Sequence, residues 1–166
     1  MSEIEKRSEK VLIFATTKAV QAYVSALITT IYKIPVATVN GDTKAVATKK
    51  DSETRKAIID RFQDQEGFGV IVMSPIAAGV GLTIVGANNV IHLERHWNPA
   101  KEAQATDRVY RIGQKRDVNV YLPMALYLGM RSFDLQLNGL LTNRVDLSDA
   151  VVAASVVAQN DLEGCF

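Results

Sequence analysis

VLIFA, residues 11–15, is an unbroken run of five apolar residues. A strand with one wet face alternates apolar and polar side chains, so an unbroken run needs cover on both faces. GVIVM (69–73) repeats the pattern. Further strand candidates are VATV (36–39), NVIHL (89–93) and VNVYLPMAL (118–126). Between them, helices are predicted over 17–32, 53–64 and 100–111, with two more over 132–142 and 146–158. Residues 17–32 place Val20, Tyr23, Val24, Leu27, Ile28 and Ile31 at three- and four-residue spacings, the mark of an amphipathic helix. Ile58, Ile59 and Phe62 define an inward face of the next one, with Ser52 as its N-cap. Strands alternating with helices define an α/β fold built on a parallel sheet. The predicted buried strand residues are Leu12, Ile13, Phe14, Val70, Ile71, Val72, Val90, Ile91 and Val120.

The 166 residues suffice for one domain with a substantial core. A hydrophobic fraction of 48% with 22% charged residues is that of a globular protein and excludes wholesale disorder. The formal net charge is only +1, so a nucleic-acid footprint has to be local. Between Arg95 and Arg116 six Lys or Arg residues (95, 101, 108, 111, 115, 116) stand against two acids, Glu102 and Asp107, an excess of four. The single cysteine, Cys165, excludes an internal disulfide and a cysteine-rich zinc site, and with His92 and His96 it would make only a poor metal cluster. No metal site is expected. No signal peptide opens the chain, and VVAASVVA (151–158) is far short of the ~20 residues that span a bilayer. An intracellular protein is expected, cytoplasmic and nucleoid-associated in a bacterium or nuclear in a eukaryote.

In a parallel α/β sheet, function gathers in loops beyond the carboxyl ends of the strands. Three qualify: Asn40 to Thr43, Ser74 to Thr83, and Glu94 to Pro99 leading into the helix of 100–111. Pro99 suits the first turn of that helix. If the helix runs to residue 111, Gln104, Arg108 and Arg111 share one face within about 60°. A guanidinium fork is planar and permanently charged, and so suits phosphate oxygens. The plainer alternative is that both arginines pair with Asp107 or Glu102. Val109 and Ile112 would anchor the helix to the sheet. Ala77, Ala78, Gly79 and Gly81 leave a loop with little side-chain bulk, where backbone can approach a ligand. Gly-x-x-x-x-Gly-Lys-Ser/Thr occurs nowhere, so the loop that grips a nucleotide is missing.

VLIFA, the Asn40-Gly41-Asp42 turn, Asp60-Arg61-Phe62, AAGVGL, Trp97-Asn98-Pro99 and QATDRVYRIGQ (104–114) occur in an order and spacing that resembles the C-terminal RecA-like lobe of Swi/Snf-family ATPases. These are helicase-like DNA translocases of superfamily two. The resemblance spans about residues 10–145 and is most specific from Val70 to Arg116. It departs from the family pattern at Pro75-Ile76, where Thr-Arg or Leu-Lys is usual, and at Ala78, where glycine is usual.

The resemblance implies a three-layer RecA-like (P-loop-NTPase-like) parallel sheet with helices on both faces, forming a single lobe over 11–145. A lead-in or tail at 1–10 and a helical extension at 146–166 flank it. It implies that ATP and Mg²⁺ are held mainly by a first lobe outside this sequence, an N-terminal RecA-like lobe of the same parent chain. Arg108 and Arg111 match fingers that act on the γ-phosphate, Gln104 lies in the same motif, and Gly79 and Gly81 match a motif coupling nucleotide to DNA. Thr16, Gly41, Asp42, Thr43, Ser74, Trp97 and Lys101 match regions near the DNA backbone. The expected function is that of half a DNA-dependent ATPase that moves on double-stranded DNA or remodels a protein bound to it, inactive without the other half. A stand-alone, non-catalytic helicase-lobe module for interaction or regulation is the alternative.

Overall fold

The computed structural model describes residues 1–44, 54–78, 81–126 and 132–145. Its elements run α1 (Ser2–Lys6), β1 (Lys10–Phe14), α2 (Lys18–Tyr32), β2 (Ala37–Val39), α3 (Arg55–Asp64), β3 (Gly69–Met73), α4 (Pro75–Ala78), β4 (Asn89–His92), α5 (Pro99–Thr106) and β5 (Asn119–Tyr121). The five strands form one sheet in the order β2-β3-β1-β4-β5, and every pairing is parallel. This is the parallel α/β architecture expected from the alternation of runs, and it agrees with the RecA-like sheet that the resemblance implies.

β1 and β3 are buried at all five positions, and apart from Lys10 at the start of β1 these belong to the unbroken apolar runs that need cover on both faces. Successive side chains point to opposite faces, and the core divides accordingly. Val11, Ile13, Val70 and Val72 join Ile4 of α1 and Ile28 of α2 on one face. Leu12, Phe14, Ile71 and Met73 join Ile58, Ile59 and Phe62 of α3 and Ala105 and Val109 on the other. α2 and α5 therefore cover opposite faces. β1, from which α2 departs, lies beside β4, from which α5 departs, and a crevice opens at such a switch point beyond the carboxyl ends of the strands.

The described chain forms two compact units, one of Met1–His96 with Ala100–Pro123, the other of Trp97–Pro99 with the described residues from Met124 on. The second contains a helical stretch over 133–145 with Leu141 buried. There the Arg144 Nη1 group donates to the Trp97 carbonyl at 3.5 Å, and the Ala125 amide donates to the Asp134 carboxylate at 2.7 Å.

Several expectations need correction. Val120 is 45% exposed and Ile91 only half-buried, because β5 is a short edge strand exposed at all three positions. On α2 the buried residues are Gln21 and Ile28, while Tyr23, Leu27 and Ile31 face solvent. Thr54, not Ser52, caps α3: its hydroxyl accepts from the Ala57 amide at 3.2 Å, and Ser52 lies outside the described residues. The turn expected after β3 opens with a helical turn, α4. α5 ends at Thr106, five residues before the predicted limit. The expected helix over 146–158 and Cys165 lie outside the described residues.

Candidate functional site

At the switch point, the chain leaves β1 through Ala15, Thr16 and Thr17 and enters α2 with Thr17 as N-cap. The first amides of a helix lack intrahelical partners and carry the positive end of its dipole. The threonine side chain makes no capping bond here. Glu94, from the loop after β4, supplies the anion: one carboxylate oxygen accepts from the Thr16 and Thr17 amides at 2.7 and 2.9 Å, the other from the Thr17 hydroxyl at 3.0 Å. A partner 77 residues away left no local signal in the sequence.

Beyond β2, the Asn40 side chain accepts from the Asp42 amide at 3.0 Å, and Thr43 Oγ1 accepts from the Asn40 amide at 3.1 Å. The Asn40 Nδ2 group donates to the buried Gln21 amide oxygen at 3.1 Å, and Gln21 Nε2 donates to the Ala15 carbonyl at 2.7 Å. Gln21 thereby ties the loops after β1 and β2 together, which explains why a polar residue takes the buried side of α2. Asp42 is paired with Lys18 at 2.7 Å. A side chain at Gly41 would meet open space, so this loop is accessible on that side.

Ser74 follows β3 and is buried, its amide donating to the Val39 carbonyl at 3.0 Å. Among the described residues, Pro75, Ile76, His96, Lys101 and Gln104 line a cavity of about 130 Å³. Arg95 is not part of an open basic patch. Its Nε donates to both Glu102 oxygens at 3.0 and 2.9 Å, with side chains only 10% and 11% exposed. The same carboxylate accepts from the His96 amide at 3.1 Å. The buried ion pair engages Glu102, one of the two acids considered as partners for Arg108 and Arg111.

Arg108 and Arg111 do not share a helical face with Gln104. They lie on the turn after α5, where the Val109 and Tyr110 amides donate back to the Thr106 carbonyl at 2.9 and 3.2 Å. Val109 is fully buried against the sheet, whereas Ile112 is fully exposed and anchors nothing. The Arg108 carbonyl accepts from the Ile84 amide at 2.8 Å. Gln114 donates to the Ala87 carbonyl at 2.7 Å, and its Oε1 accepts from the Lys115 and Arg116 amides at 3.0 and 3.1 Å. Gly113 closes the turn at φ +107°, a conformation that L side chains rarely adopt. Arg108 is 8% exposed, while Arg111 is exposed and donates from Nη1 to Thr83 Oγ1 at 2.9 Å. That bond brings Arg111 to the loop of Gly81, which has φ +62° and open space around it.

The expected site residues therefore fall into groups. Gln104 shares a cavity with Lys101, Arg111 shares another with Tyr110, Ile112, Gln114 and Arg116, and Thr16 meets the Glu94 carboxylate. Trp97 is 66% exposed and belongs to the second unit. Gly79 lies outside the described residues. Glu94, Gln114 and His92 were not anticipated as structural partners of the site. His92 is buried, stacked on Phe14 with ring centroids 5.0 Å apart, and its Nε2 lies 2.8 Å from Thr106 Oγ1. Burial holds its pKa below the ordinary histidine value, Glu102 opposes that shift, and Arg95 adds to it.

Residues 1–113 match the family model "Helicase conserved C-terminal domain". The Zorya protein ZorD of Escherichia coli O139:H28 (strain E24377A / ETEC) is 42% identical over 148 residues, covering 89% of this chain and 13% of that protein. A crystal structure of the C-terminal part of the Fun30 ATPase domain superposes with a TM-score of 0.69 at 28% identity, covering 83% of this chain and 41% of that one. The Sulfolobus solfataricus SWI2/SNF2 ATPase core domain gives a TM-score of 0.63 at 28% identity, covering 91% and 28%. The chain belongs to the helicase C-terminal domain family and is a lobe of the Swi2/Snf2 type. It spans about an eighth of the length of ZorD. Among the described residues, no helix is long and apolar enough to cross a membrane.

Proposed function

We propose that this chain is the second lobe of an ATP-driven translocase on double-stranded DNA, and that it completes an active site whose nucleotide grip lies in a first lobe. Arg111 is the principal finger on the γ-phosphate, with Arg108 the deeper arginine of the same turn. Gln104 and Gly81 are assigned to the nucleotide; Gly79, assigned with them from the sequence, lies outside the described residues. The observation that carries this reading is the turn itself: an exposed guanidinium, steered by Thr83, sits on a backbone fixed by buried Val109 and by hydrogen bonds to Ile84 and Ala87. A finger has to arrive preorganised, since charge stabilisation without reorganisation is what accelerates phosphoryl transfer.

Mg²⁺ is assigned to the other lobe. Among the described residues no three His, Cys, Asp or Glu side chains cluster to hold a metal ion. The residues of this chain position the guanidinium groups and the DNA backbone. For DNA, Lys101 and Gly41 of the first unit and Trp97 of the second are exposed candidates, while the Thr43 hydroxyl already accepts from the Asn40 amide. Thr16 and Asp42 already hold partners within the protein, Glu94 and Lys18, which DNA would have to displace.

The test compares ATP hydrolysis by this chain alone with that of the full-length parent, each with and without duplex DNA. The reading expects turnover only in the parent, stimulated by DNA. Hydrolysis by this chain alone, or a parent indifferent to DNA, contradicts it.

A further inference from the structure

We propose that His92 and Thr106 are positioning residues that set the arginine turn for hydrolysis; the inference rests on the finger reading of Arg108 and Arg111. Thr106 is the last residue of α5, and its carbonyl receives both the Val109 amide at 2.9 Å and the Tyr110 amide at 3.2 Å. It is thus the base of the turn on which Arg108 sits and from which Arg111 follows. Its hydroxyl lies 2.8 Å from His92 Nε2 and 3.2 Å from the Glu102 carbonyl. A threonine hydroxyl has one proton to give. If it donates to the Glu102 carbonyl, His92 Nε2–H donates to it; if it donates to His92, Nε2 accepts. Either neutral tautomer keeps the 2.8 Å contact.

The imidazole cannot swing to follow a moving turn. It stacks on Phe14 of β1 with an interplanar angle of 26° and belongs to β4, which pairs with β1. Glu102, one helical turn before Thr106, is held by Arg95 and by the His96 amide, both just beyond β4. α5 is therefore fastened to the carboxyl end of β4 at two successive turns, through Glu102 and through Thr106. An apolar residue could fill the space at 92 and stack on Phe14. Only a polar edge aimed at Thr106 also fixes where the turn begins. A misplacement of about 1 Å in a group that acts on the transition state can cost about a hundredfold in rate.

The experiment measures DNA-stimulated ATP hydrolysis in the full-length parent carrying Thr106→Val, Thr106→Ser, His92→Phe or His92→Gln. Amide hydrogen exchange at Val109 and Tyr110 is followed in the same variants of this chain. Valine keeps the volume of threonine and loses the bond; phenylalanine keeps a stacking ring and loses the bond but is larger than histidine; serine and glutamine keep a bonding group. The inference expects kcat to fall about ten- to a hundredfold in Thr106→Val and His92→Phe with KM for ATP unchanged. Serine and glutamine should restore most of it. The Val109 and Tyr110 amides should exchange faster only where the bond is lost. The His92→Phe, Thr106→Val double variant should be no slower than the worse single one, since both remove one contact. If His92→Phe fails to fold, Thr106→Val decides alone. Retained kcat in Thr106→Val, equal loss in Thr106→Ser, or unchanged exchange overturns the inference. Arg111→Ala is run in parallel to separate the two ideas. Wild-type turnover there defeats the finger reading, whereas lost turnover there with retained turnover in Thr106→Val defeats the positioning role alone.

Discussion

Arg108 and Arg111 are three residues apart yet differ in surroundings. Arg111 is exposed and bonded only at the surface to Thr83, so its removal costs the fold little. Arg108 is 8% exposed, and truncating it leaves a void and disturbs buried polar groups. Arg108→Ala should lower the unfolding free energy by about 1–3 kcal/mol, and Arg111→Ala by less than about 0.5 kcal/mol. Urea titration of both variants checks this, and equal losses would contradict the assigned environments. His92 gives a pH prediction. Its folded pKa is depressed by burial, so below about pH 6.5 the unfolded chain takes up a proton that the folded chain refuses. The stability from neutral His92 is present above that pH and is lost as pH falls through it. The urea midpoint should drop between pH 7.5 and 5.5 more in the wild type than in His92→Gln. The residue types at this site were legible in QATDRVYRIGQ, but their arrangement was not. Helical periodicity carried past Thr106 puts Gln104, Arg108 and Arg111 on one face. The chain instead turns at Thr106, whose hydroxyl bonds to His92, and the glycine that could mark a helix stop comes only at 113.

At the scale of elements, two carboxylates from the β4–α5 region do most to fix the loops. Glu94 caps α2 across the sheet, and Glu94→Ala should destabilise by about 1 kcal/mol, as losing an N-cap does. Glu102 is buried with Arg95. Removing one member of a buried ion pair leaves the other charge uncompensated, so Glu102→Ala should cost about 3–5 kcal/mol. Thermal and urea unfolding of the two variants should rank them in that order; a Glu102 variant as stable as wild type would show that the pair is not buried in solution. Strand positions were readable because VLIFA and GVIVM have no polar interruption. The buried side of α2 was not, because that helix has apolar residues on both sides. Its orientation is set by Gln21, whose amide bridges Ala15 and Asn40. β5 is shorter than the apolar run VNVYLPMAL suggests, since an edge strand is bounded by its pairing with β4 rather than by hydropathy.

On the proposed reading, the whole molecule supplies one half of a two-part machine. Its charge is nearly balanced, and the ion pair with Glu102 withdraws Arg95 from the basic run, leaving Lys101, Lys115 and Arg116 exposed besides Arg111, which is assigned to the nucleotide. DNA binding by this chain should therefore be weak and independent of sequence, with a slope of log K against log salt of about −2 to −3. A titration of duplex DNA by anisotropy at several salt concentrations checks it, and a salt-independent affinity would contradict it. The central claim is that Arg111 crosses to a nucleotide held elsewhere. Its most direct test is single-turnover ATP hydrolysis by the full-length parent, saturated with ATP and duplex DNA, in wild type, Arg111→Lys and Arg111→Ala, with nucleotide affinity measured in parallel. The account predicts a fall of about 10³-fold or more in Arg111→Ala and poor rescue by lysine, which lacks the planar fork. Nucleotide affinity should stay within a few-fold of wild type, roughly 1 kcal/mol. Near-normal hydrolysis in Arg111→Ala would contradict it.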